Sequence, residues 1–144
     1  MTTHLLDVNV LIALVREDHV GHKTVKRWFQ HTGSRSWATC PMTQASFVRI
    51  VSNPKFSEPA LDLSEAVEML EIVTRLPGHR FWPMDIALAD AVAPFSERLF
   101  GHQQVSDAYL LGLALKKKGV LVTLDRAIAA LAGEKFRPAV AVLE

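Results

Sequence analysis

The sequence predicts a single three-layer α/β domain in which helices cover both faces of a mostly parallel sheet. Short apolar runs alternate along the chain with longer segments of helical periodicity, which is the order expected of such a sheet. The chain has 144 residues, of which 49% are hydrophobic, enough for one compact core and too few for a second. No internal repeat, long linker or biased tract interrupts the pattern, so residues 1–144 are treated as one domain.

The composition excludes several other classes of protein. The single cysteine, Cys40, cannot form an internal disulfide or a cysteine-based zinc cluster, which favours a reducing, cytoplasmic compartment. No apolar run approaches the ~20 residues needed to cross a bilayer, and the opening Met-Thr-Thr-His lacks the pattern of a signal peptide. The formal net charge of +1 argues against general coating of nucleic acid. Any contact with RNA or DNA therefore needs a local site.

Strands are predicted where short apolar runs are bounded by polar or turn residues. The run that ends near Asp7 reads as a buried strand, and the continuous apolar run before Asp125 is typical of a strand covered on both faces. The predicted strands cover residues 4–8, 36–40, 80–83, 120–124 and 139–143. Helices are predicted from apolar spacing over residues 9–15, 19–31, 43–52 and 62–75, with shorter ones over 86–100, interrupted at Pro94, and after Asp125.

Two helices carry specific end signals. Asp62 followed by Glu65 has the capping-box spacing, and Glu65, Glu68 and Glu71 then lie three apart on one face, which we interpret as a solvated stripe rather than a metal site. Later in the chain, a serine at 106 is predicted to cap a strongly apolar helix over residues 107–118, with a glycine at 119 as its stop.

Three acids are candidates for a functional site because of where they fall on the predicted elements. Asp7 and Asp125 each follow a predicted strand, and Asp107 lies in the first turn of the helix that leads into the second of those strands. Ligands of open α/β sheets bind outside the carboxyl ends of the strands, so these carboxylates are expected to meet in one pocket. Such a cluster needs a cation, and hard oxygen ligands select Mg²⁺ or Mn²⁺. The expected chemistry is metal-assisted hydrolysis of a phosphodiester.

Each acid also has a purely structural interpretation. Asp107 directly after Ser106 is favoured by the helix dipole alone, and Asp125 could simply begin the following helix. Asp7 is harder to explain in this way, because an ionised acid beside Leu5 and Leu6 is costly to bury without a partner. The residues alone therefore predict an acid-lined α/β pocket and no more.

Four segments around these acids resemble, in order, the motifs of the PIN-domain ribonucleases, specifically the VapC-type toxins of VapBC toxin–antitoxin pairs. The first segment, Leu6-Asp7-Val8-Asn9-Val10-Leu11-Ile12-Ala13-Leu14, resembles the D-x-N-x-L opening motif. The other three are Pro41-Met42-Thr43-Gln44-Ala45-Ser46-Phe47-Val48-Arg49, Val105-Ser106-Asp107-Ala108-Tyr109-Leu110 and Val122-Thr123-Leu124-Asp125-Arg126. They span nearly the whole chain. The resemblance implies an α/β/α PIN-like fold and an endoribonuclease that uses Mg²⁺ or Mn²⁺.

The resemblance also implies roles for individual residues. Asp7 and Asp107 would hold the metal, and Asp125 would assist directly or through water. The polar supports that orient these acids would be Asn9, Ser46, Ser106 and Thr123, and the phosphate-binding candidates are Arg49 and Arg126. A VapB-type antitoxin, an RNA substrate such as transfer RNA, and a homodimer or a larger toxin–antitoxin assembly are the implied partners, with no membrane.

One position departs from the family pattern. Many members carry a glutamate in the second motif where this chain has Ser46, with Gln44 nearby, and a neutral residue removes one charge from the site. This motivates a competing hypothesis, a non-catalytic PIN-like module that binds RNA or protein. A phosphoacceptor domain of the receiver type ranks lower, because it would need adjacent acids after the first strand and Asp7 stands alone there.

The lysine run and the large aromatic residues each allow two interpretations. The run Lys116-Lys117-Lys118 either contacts phosphate or complements the dipole at the end of a helix. Large aromatics such as Trp28, Trp37 and Trp82 are more often core or interface residues than base-stacking ones. The first two helices, with Trp28 and Phe29, are expected to offer a groove or dimer surface to an antitoxin helix.

Overall fold

The computed structural model describes residues 1–144 and contains a five-stranded, all-parallel sheet with helices on both faces. The strands are β1 (His4–Leu6), β2 (Trp37–Thr39), β3 (His79–Phe81), β4 (Val120–Thr123) and β5 (Val140–Val142), in the spatial order β3-β2-β1-β4-β5. All pairings are parallel, so the predicted sheet is confirmed. Because β1 and β4 are neighbours at the centre, the residues that follow them lie side by side.

Seven helices form the two outer layers. They are α1 (Val8–Val15), α2 (His22–His31), α3 (Pro41–Val51), α4 (Leu63–Thr74), α5 (Leu88–Val92), α6 (Val105–Lys116) and α7 (Arg126–Phe136), with short 3₁₀ turns at Gly33–Arg35, Ala93–Arg98, His102–Gln104 and Arg137–Ala139. No helix is both long and apolar enough to cross a membrane.

The alternation of side chains along each strand divides the interior into two cores. Leu6 and Val122 face the layer built from α1 to α4, whereas Leu5 and Leu121 face the layer built from α5 to α7. Adjacent residues of one strand thus belong to different cores, as expected for a sheet covered on both faces. Because both faces are covered, the edges where the strands end are where polar side chains can reach solvent.

The start of α6 differs from the prediction. The helix begins at Val105 with Gln104 as its N-cap, and Ser106 lies inside the first turn without capping it. The reason is local: the 3₁₀ turn at His102–Gln104 runs straight into the helix, so Gln104 already has helical dihedral angles. No extended residue is left at which a serine side chain could reach back to the first free N–H groups.

The end of α6 also differs. The helix stops at Lys116, and the residue with a left-handed backbone is Lys118, at φ 56°, rather than the glycine after it. Gly119 is needed for another reason, since a Cβ there would lie 2.6 Å from the carbonyl oxygen of Thr3 and 2.6 Å from the ring of Trp82. Close packing against Thr3, just before β1, and against the Trp82 ring therefore explains this glycine.

Two other helices begin away from their predicted starts. α3 starts at Pro41 instead of residue 43, because proline is well suited to the first turn and lacks the N–H that would be left unbonded there. α2 starts at His22 rather than His19, after a turn in which Gly21 N–H donates to His19 Nδ1. The predicted capping box of Asp62 and Glu65 at α4 is confirmed.

Candidate active site

Asp7 lies at the junction of β1 and α1 and is 6% exposed. Its Oδ1 accepts a hydrogen bond from the Val8 N–H at 2.8 Å, and its Oδ2 accepts one from the Thr123 hydroxyl at 2.7 Å. Both carboxylate oxygens are thereby fixed, one by the helix that follows β1 and one by the neighbouring strand β4. The sequence places this acid beside apolar residues, and the structure supplies the polar partners that such burial requires.

Thr123 also ties the loop after β4 to the same carboxylate. Its Oγ1 accepts from the Asp125 N–H at 3.0 Å while donating to Asp7, and Asp125 Oδ1 accepts from the Ala127 N–H at 2.9 Å to cap α7. Asn9 adds a third link, since its Oδ1 accepts from the Leu124 N–H at 3.3 Å. The loops after the two central strands are therefore held together by side chains from the first and fourth motifs.

Asp107 completes the group from the first turn of α6, where its side chain is half-buried. Burial, together with the charges of Asp7 and Asp125, raises the pKa of Asp107 from its ordinary 3.8 to about 6. Burial also raises the pKa of Asp7, although the hydrogen bonds from Thr123 and Val8 oppose this. The structure thus brings the three acids close enough for each to feel the charge of another.

The donor set suits a hard divalent cation that keeps part of its water shell. The structure contains no group of three or more His, Cys, Asp or Glu side chains placed to hold a metal ion by themselves. Mg²⁺, however, is usually bound through one or two carboxylates with water as the remaining ligands. Asp7 and Asp107 fit that description, and the repulsion that raises the pKa of Asp107 is the feature that a cation would relieve.

The remaining predicted supports are not joined to the acids. Ser106 is exposed and its hydroxyl makes no hydrogen bond, and Ser46 has only a long contact of 3.5 Å from Arg49 Nη2 to its hydroxyl. Arg126 forms an exposed ion pair with Glu144, at 2.8 Å between Nη2 and Oε1. The orienting role predicted for the two serines therefore has no contact behind it, because one lies on a solvent-facing turn and the other reaches only along its own helix.

Gln44, the other polar residue of the second motif, turns back to the sheet. Its Nε2 donates to Thr39 Oγ1 at 3.0 Å, and that hydroxyl also contacts His79 Nε2 at 2.7 Å. Burial lowers the pKa of His79. This polar cluster joins the ends of α3, β2 and β3, and it was not predicted, because its members are far apart in the sequence.

The lysine run and the tryptophans are largely engaged within the protein. Lys116 and Lys117 both pair with Asp85, at 3.4 and 3.2 Å, rather than standing free for phosphate. Trp37 is fully buried, as the core interpretation predicts, and Trp28 is half-buried against the core. Trp82 is nearly fully buried as well.

The apolar groove expected on the first two helices uses the end of α1 and not α2. Trp28 packs edge-on against His4, and Phe29 against Trp37, so these rings cover the sheet. The apolar groove of about 530 Å³ is formed instead by the end of α1 and by α4. α1 thus contributes to this groove, whereas Trp28 and Phe29 of α2 are half-buried against the sheet, and a partner surface on α2 stays a prediction.

Comparison with known proteins agrees with this geometry. The PIN domain model matches residues 4–134, and the chain belongs to the PIN domain family. Within it, the chain belongs with the VapC proteins: it is 38% identical to Ribonuclease VapC38 of Mycobacterium tuberculosis over 96% of each chain. It is also 42% identical to Ribonuclease VapC39 of the same organism, covering 88% of this chain and 91% of the relative.

Solved structures show the same fold at much lower sequence identity. One is the VapBC2 complex of Rickettsia felis bound to a promoter DNA fragment, with a TM-score of 0.65 and 10% identity, covering 99% of this chain and 100% of that one. Another is FitAcB of Neisseria gonorrhoeae, with a TM-score of 0.65 and 21% identity, covering 98% and 96%. Structural similarity at such low sequence identity establishes the three-layer fold only. The chemistry has to be inferred from the residues of the site.

Proposed function

We propose that this protein is a metal-dependent endoribonuclease that acts as the toxin of a toxin–antitoxin pair. The observation that carries the proposal is the convergence of Asp7, Asp107 and Asp125 at the carboxyl edge of β1 and β4, with burial and mutual charge raising the pKa of Asp107 to about 6. Groups with strongly shifted pKa values cluster at functional sites. The relatives named as ribonucleases support the same activity.

The residues of the proposed site have two kinds of role: some bind the metal, and others orient the metal ligands. Asp7 and Asp107 are the proposed metal ligands, and Asp125 acts beside them directly or through water. A bound Mg²⁺ or Mn²⁺ would supply charge for the phosphate and lower the pKa of a water molecule that attacks it. Thr123 keeps the Asp7 carboxylate in one orientation, and Asn9 keeps the two loops in register. Because the Asp107 carboxyl retains its proton below about pH 6, we expect activity to fall in acid.

The partners follow from the same family. The Rickettsia felis neighbour is a VapBC2 complex, and we propose a VapB-type antitoxin for this chain, with a helix seated in the apolar groove between α1 and α4. Leu14, Met69 and Ile72 are among its walls, and Glu65 and Glu68 line its rim. We further propose an RNA substrate such as transfer RNA, a homodimeric or larger assembly, and a cytoplasmic site of action.

The test is cleavage of total cellular RNA by the wild-type protein with Mg²⁺, with Mn²⁺ and with a chelator. Asp7→Ala and Asp107→Ala are compared with Asp90→Ala, which removes an exposed acid on α5. We expect chelation and either site variant to reduce the rate at least ~100-fold, because the metal contributes several kcal/mol of charge stabilisation. Asp90→Ala is expected to match the wild type. Binding of Mn²⁺, followed by its electron spin resonance, should weaken in both site variants.

Two outcomes would count against the proposal. Cleavage that survives chelation and both substitutions would rule out the metal-dependent mechanism. Binding of RNA without cleavage under any metal would instead support the non-catalytic module, which is motivated by Ser46 in the place of an acid and by the absence of a ready three-ligand group.

A further inference from the structure

A hollow with a mixed polar and apolar lining begins next to Asp7 and is not used by the proposed chemistry. It has a volume of about 270 Å³ and lies between α1, the turn after it, and the segment that follows α3. Val8 and Asn9, the two residues that follow Asp7, form part of its wall. Its volume is below the ~300 Å³ at which sites for drug-sized ligands begin, so it suits one small planar ring system.

Phe56 stands at the side of this hollow with 71% of its surface exposed. The same side chain, together with Ile50, also lines a neighbouring hollow of about 550 Å³ that contains Arg49 and Asn53. The ring therefore stands between two open spaces instead of packing into the core. An exposed aromatic ring beside a site is the surface on which nucleic-acid bases stack, since every base has a π-face.

Polar groups at the other side of the hollow are fixed by the protein itself. The Arg16 side chain is only 13% exposed, and its Nη2 donates to the Pro59 carbonyl at 2.9 Å while its Nε lies 3.6 Å from Asp18 Oδ1. His19 Nδ1 accepts from the Gly21 N–H at 2.9 Å, so a neutral ring carries its proton on Nε2 as a donor. Preset donors and acceptors of this kind match the polar edge of a base.

The charges around the hollow argue against a phosphate as its occupant. Arg16 is already paired with Asp18, and Glu58 adds a second anion to the lining. Arg49, with no carboxylate paired to it, is on the far side of the Phe56 ring. An uncharged ring is thus favoured on the Asn9 side, and the backbone phosphate on the Arg49 side.

We propose that the hollow beside Asn9 binds one unpaired base of the RNA substrate, next to the bond that is cleaved, with Phe56 as the stacking surface. This inference rests on the proposed ribonuclease function and adds to it a subsite that selects single-stranded RNA. Sequence-specific recognition of RNA usually depends on such splayed bases, held by stacking and by hydrogen bonds to their edges.

The first experiment measures the initial rate of cleavage of total RNA at sub-saturating concentration. Phe56→Ala is expected to reduce this rate about 5- to 150-fold, the range set by the loss of one base–aromatic stack. Phe81→Ala is the matched control, because Phe81 is a 53% exposed ring on the edge strand β3. It is expected to behave as the wild type. Thermal unfolding of both variants checks that the fold is retained.

The second experiment reports on the subsite without requiring cleavage. Phe56→Trp places an indole at the hollow, and its fluorescence is followed during titration with AMP, GMP, CMP or UMP and with ribose 5-phosphate. The wild type, which has the other three tryptophans, is titrated in parallel and its signal is subtracted. We expect quenching by at least one nucleotide and none by ribose 5-phosphate, which has the sugar and phosphate but no base. Equal quenching by ribose 5-phosphate, or no quenching by any nucleotide, would overturn the proposal.

The two experiments separate this inference from the function on which it rests. If the wild type cleaves no RNA under any metal, the proposed function fails, while the fluorescence titration still decides whether a base binds. If the wild type cleaves and Phe56→Ala cleaves equally well, the subsite is wrong and the ribonuclease remains. A third outcome is that Phe56→Ala cleaves RNA at the wild-type rate and is no longer inhibited by the antitoxin. That result would show that the Phe56 ring contacts a protein partner, and it would overturn the base subsite.

Discussion

Two sets of three acids in this protein lie in different environments, one exposed to solvent and the other partly buried. Glu65, Glu68 and Glu71 lie three residues apart on one face of α4, and all three are exposed. Asp7, Asp107 and Asp125 are separated by up to 118 residues in the chain, yet each lies within reach of another's charge. The acids that are close in sequence remain a solvated stripe, and those that are far apart form the candidate site.

The difference shows that environment, not the number of acids, determines how strongly the charges of an acidic cluster act on one another. On α4, Glu65 accepts the Asp62 N–H in the capping box and Glu71 pairs with Arg75 at 3.3 Å, both in contact with water. At the sheet edge, burial is the largest cause that raises the pKa of Asp107. Water screens the charges on the helix, whereas burial at the sheet edge leaves the charges of Asp7 and Asp125 poorly screened from Asp107.

The largest effect that would sharpen this comparison is expected for Thr123→Val. The valine keeps the volume but removes the hydroxyl that donates to Asp7 and accepts from Asp125 N–H. We expect the cleavage rate to fall about 10- to 100-fold, as for groups that orient metal ligands. The free energy of unfolding should fall by ~1–3 kcal/mol, because a buried carboxylate loses its donor.

Ser64→Ala is the matched control for the loss of a hydroxyl. It removes an exposed hydroxyl that donates to Asp62 at 2.9 Å beside the glutamate stripe. Its cleavage rate and denaturant midpoint are expected to stay near those of the wild type. Equal losses in the two variants would contradict the distinction between the buried and the solvated acids.

A smaller effect, of opposite sign, is expected for Asp107→Asn in the presence of a chelator. The folded protein holds the Asp107 proton up to about pH 6, whereas the ordinary value is 3.8, so the stability of the wild type falls as pH rises through that window. Removing the charge should therefore raise the Tm at pH 8, by about 1–2 °C after allowance for solvent screening of a half-exposed group.

The gain should disappear as the pH is lowered towards 4, where the wild-type carboxyl is protonated as well. Thermal unfolding at pH 4, 6 and 8 measures it, with Glu68→Gln as the control that shows no such trend. A variant that is less stable than the wild type at pH 8 would show that the charge of Asp107 is already compensated within the protein.

The smallest effect is expected for Glu71→Gln on α4. It breaks the exposed pair with Arg75, one turn along the helix. Pairs of this kind contribute below ~0.5 kcal/mol, and salt reduces them further. Denaturant unfolding should give a midpoint close to that of the wild type, and the cleavage rate should be unchanged. A marked loss of activity would show that the glutamate stripe takes part in the function.

Much of this site could be predicted from the sequence, because the acids are recognisable from the residues directly before and after them. An acid after an apolar strand, as at Asp7, and a capping acid after a second strand, as at Asp125, are visible without coordinates. The orienting contact of Thr123 is visible only as a motif position, and the contacts assumed for Ser46 and Ser106 are absent. Which polar side chain reaches which acid depends on the direction of each turn, which the residue type does not specify.

The subsite beside Asn9 could not be predicted in this way. Arg16, His19 and Phe56 come from two separate loops and form no motif, and neither loop has a repeating pattern of apolar residues. They meet only because α1 and α3 pack together on one face of the sheet.

The sequence by itself determined the order of strands and helices, the two-sided covering of the sheet and the three acids at its edge. Those features follow from periodicity, from end signals such as Asp62 with Glu65, and from the cost of burying a charge. Only the tertiary structure decided that Thr123 bonds to Asp7 across 116 residues, that Lys118 and not Gly119 takes the left-handed turn, and that Asp107 is partly buried beside two other carboxylates. Contacts of this kind depend on how separate elements pack, and no local stretch of the chain contains that information.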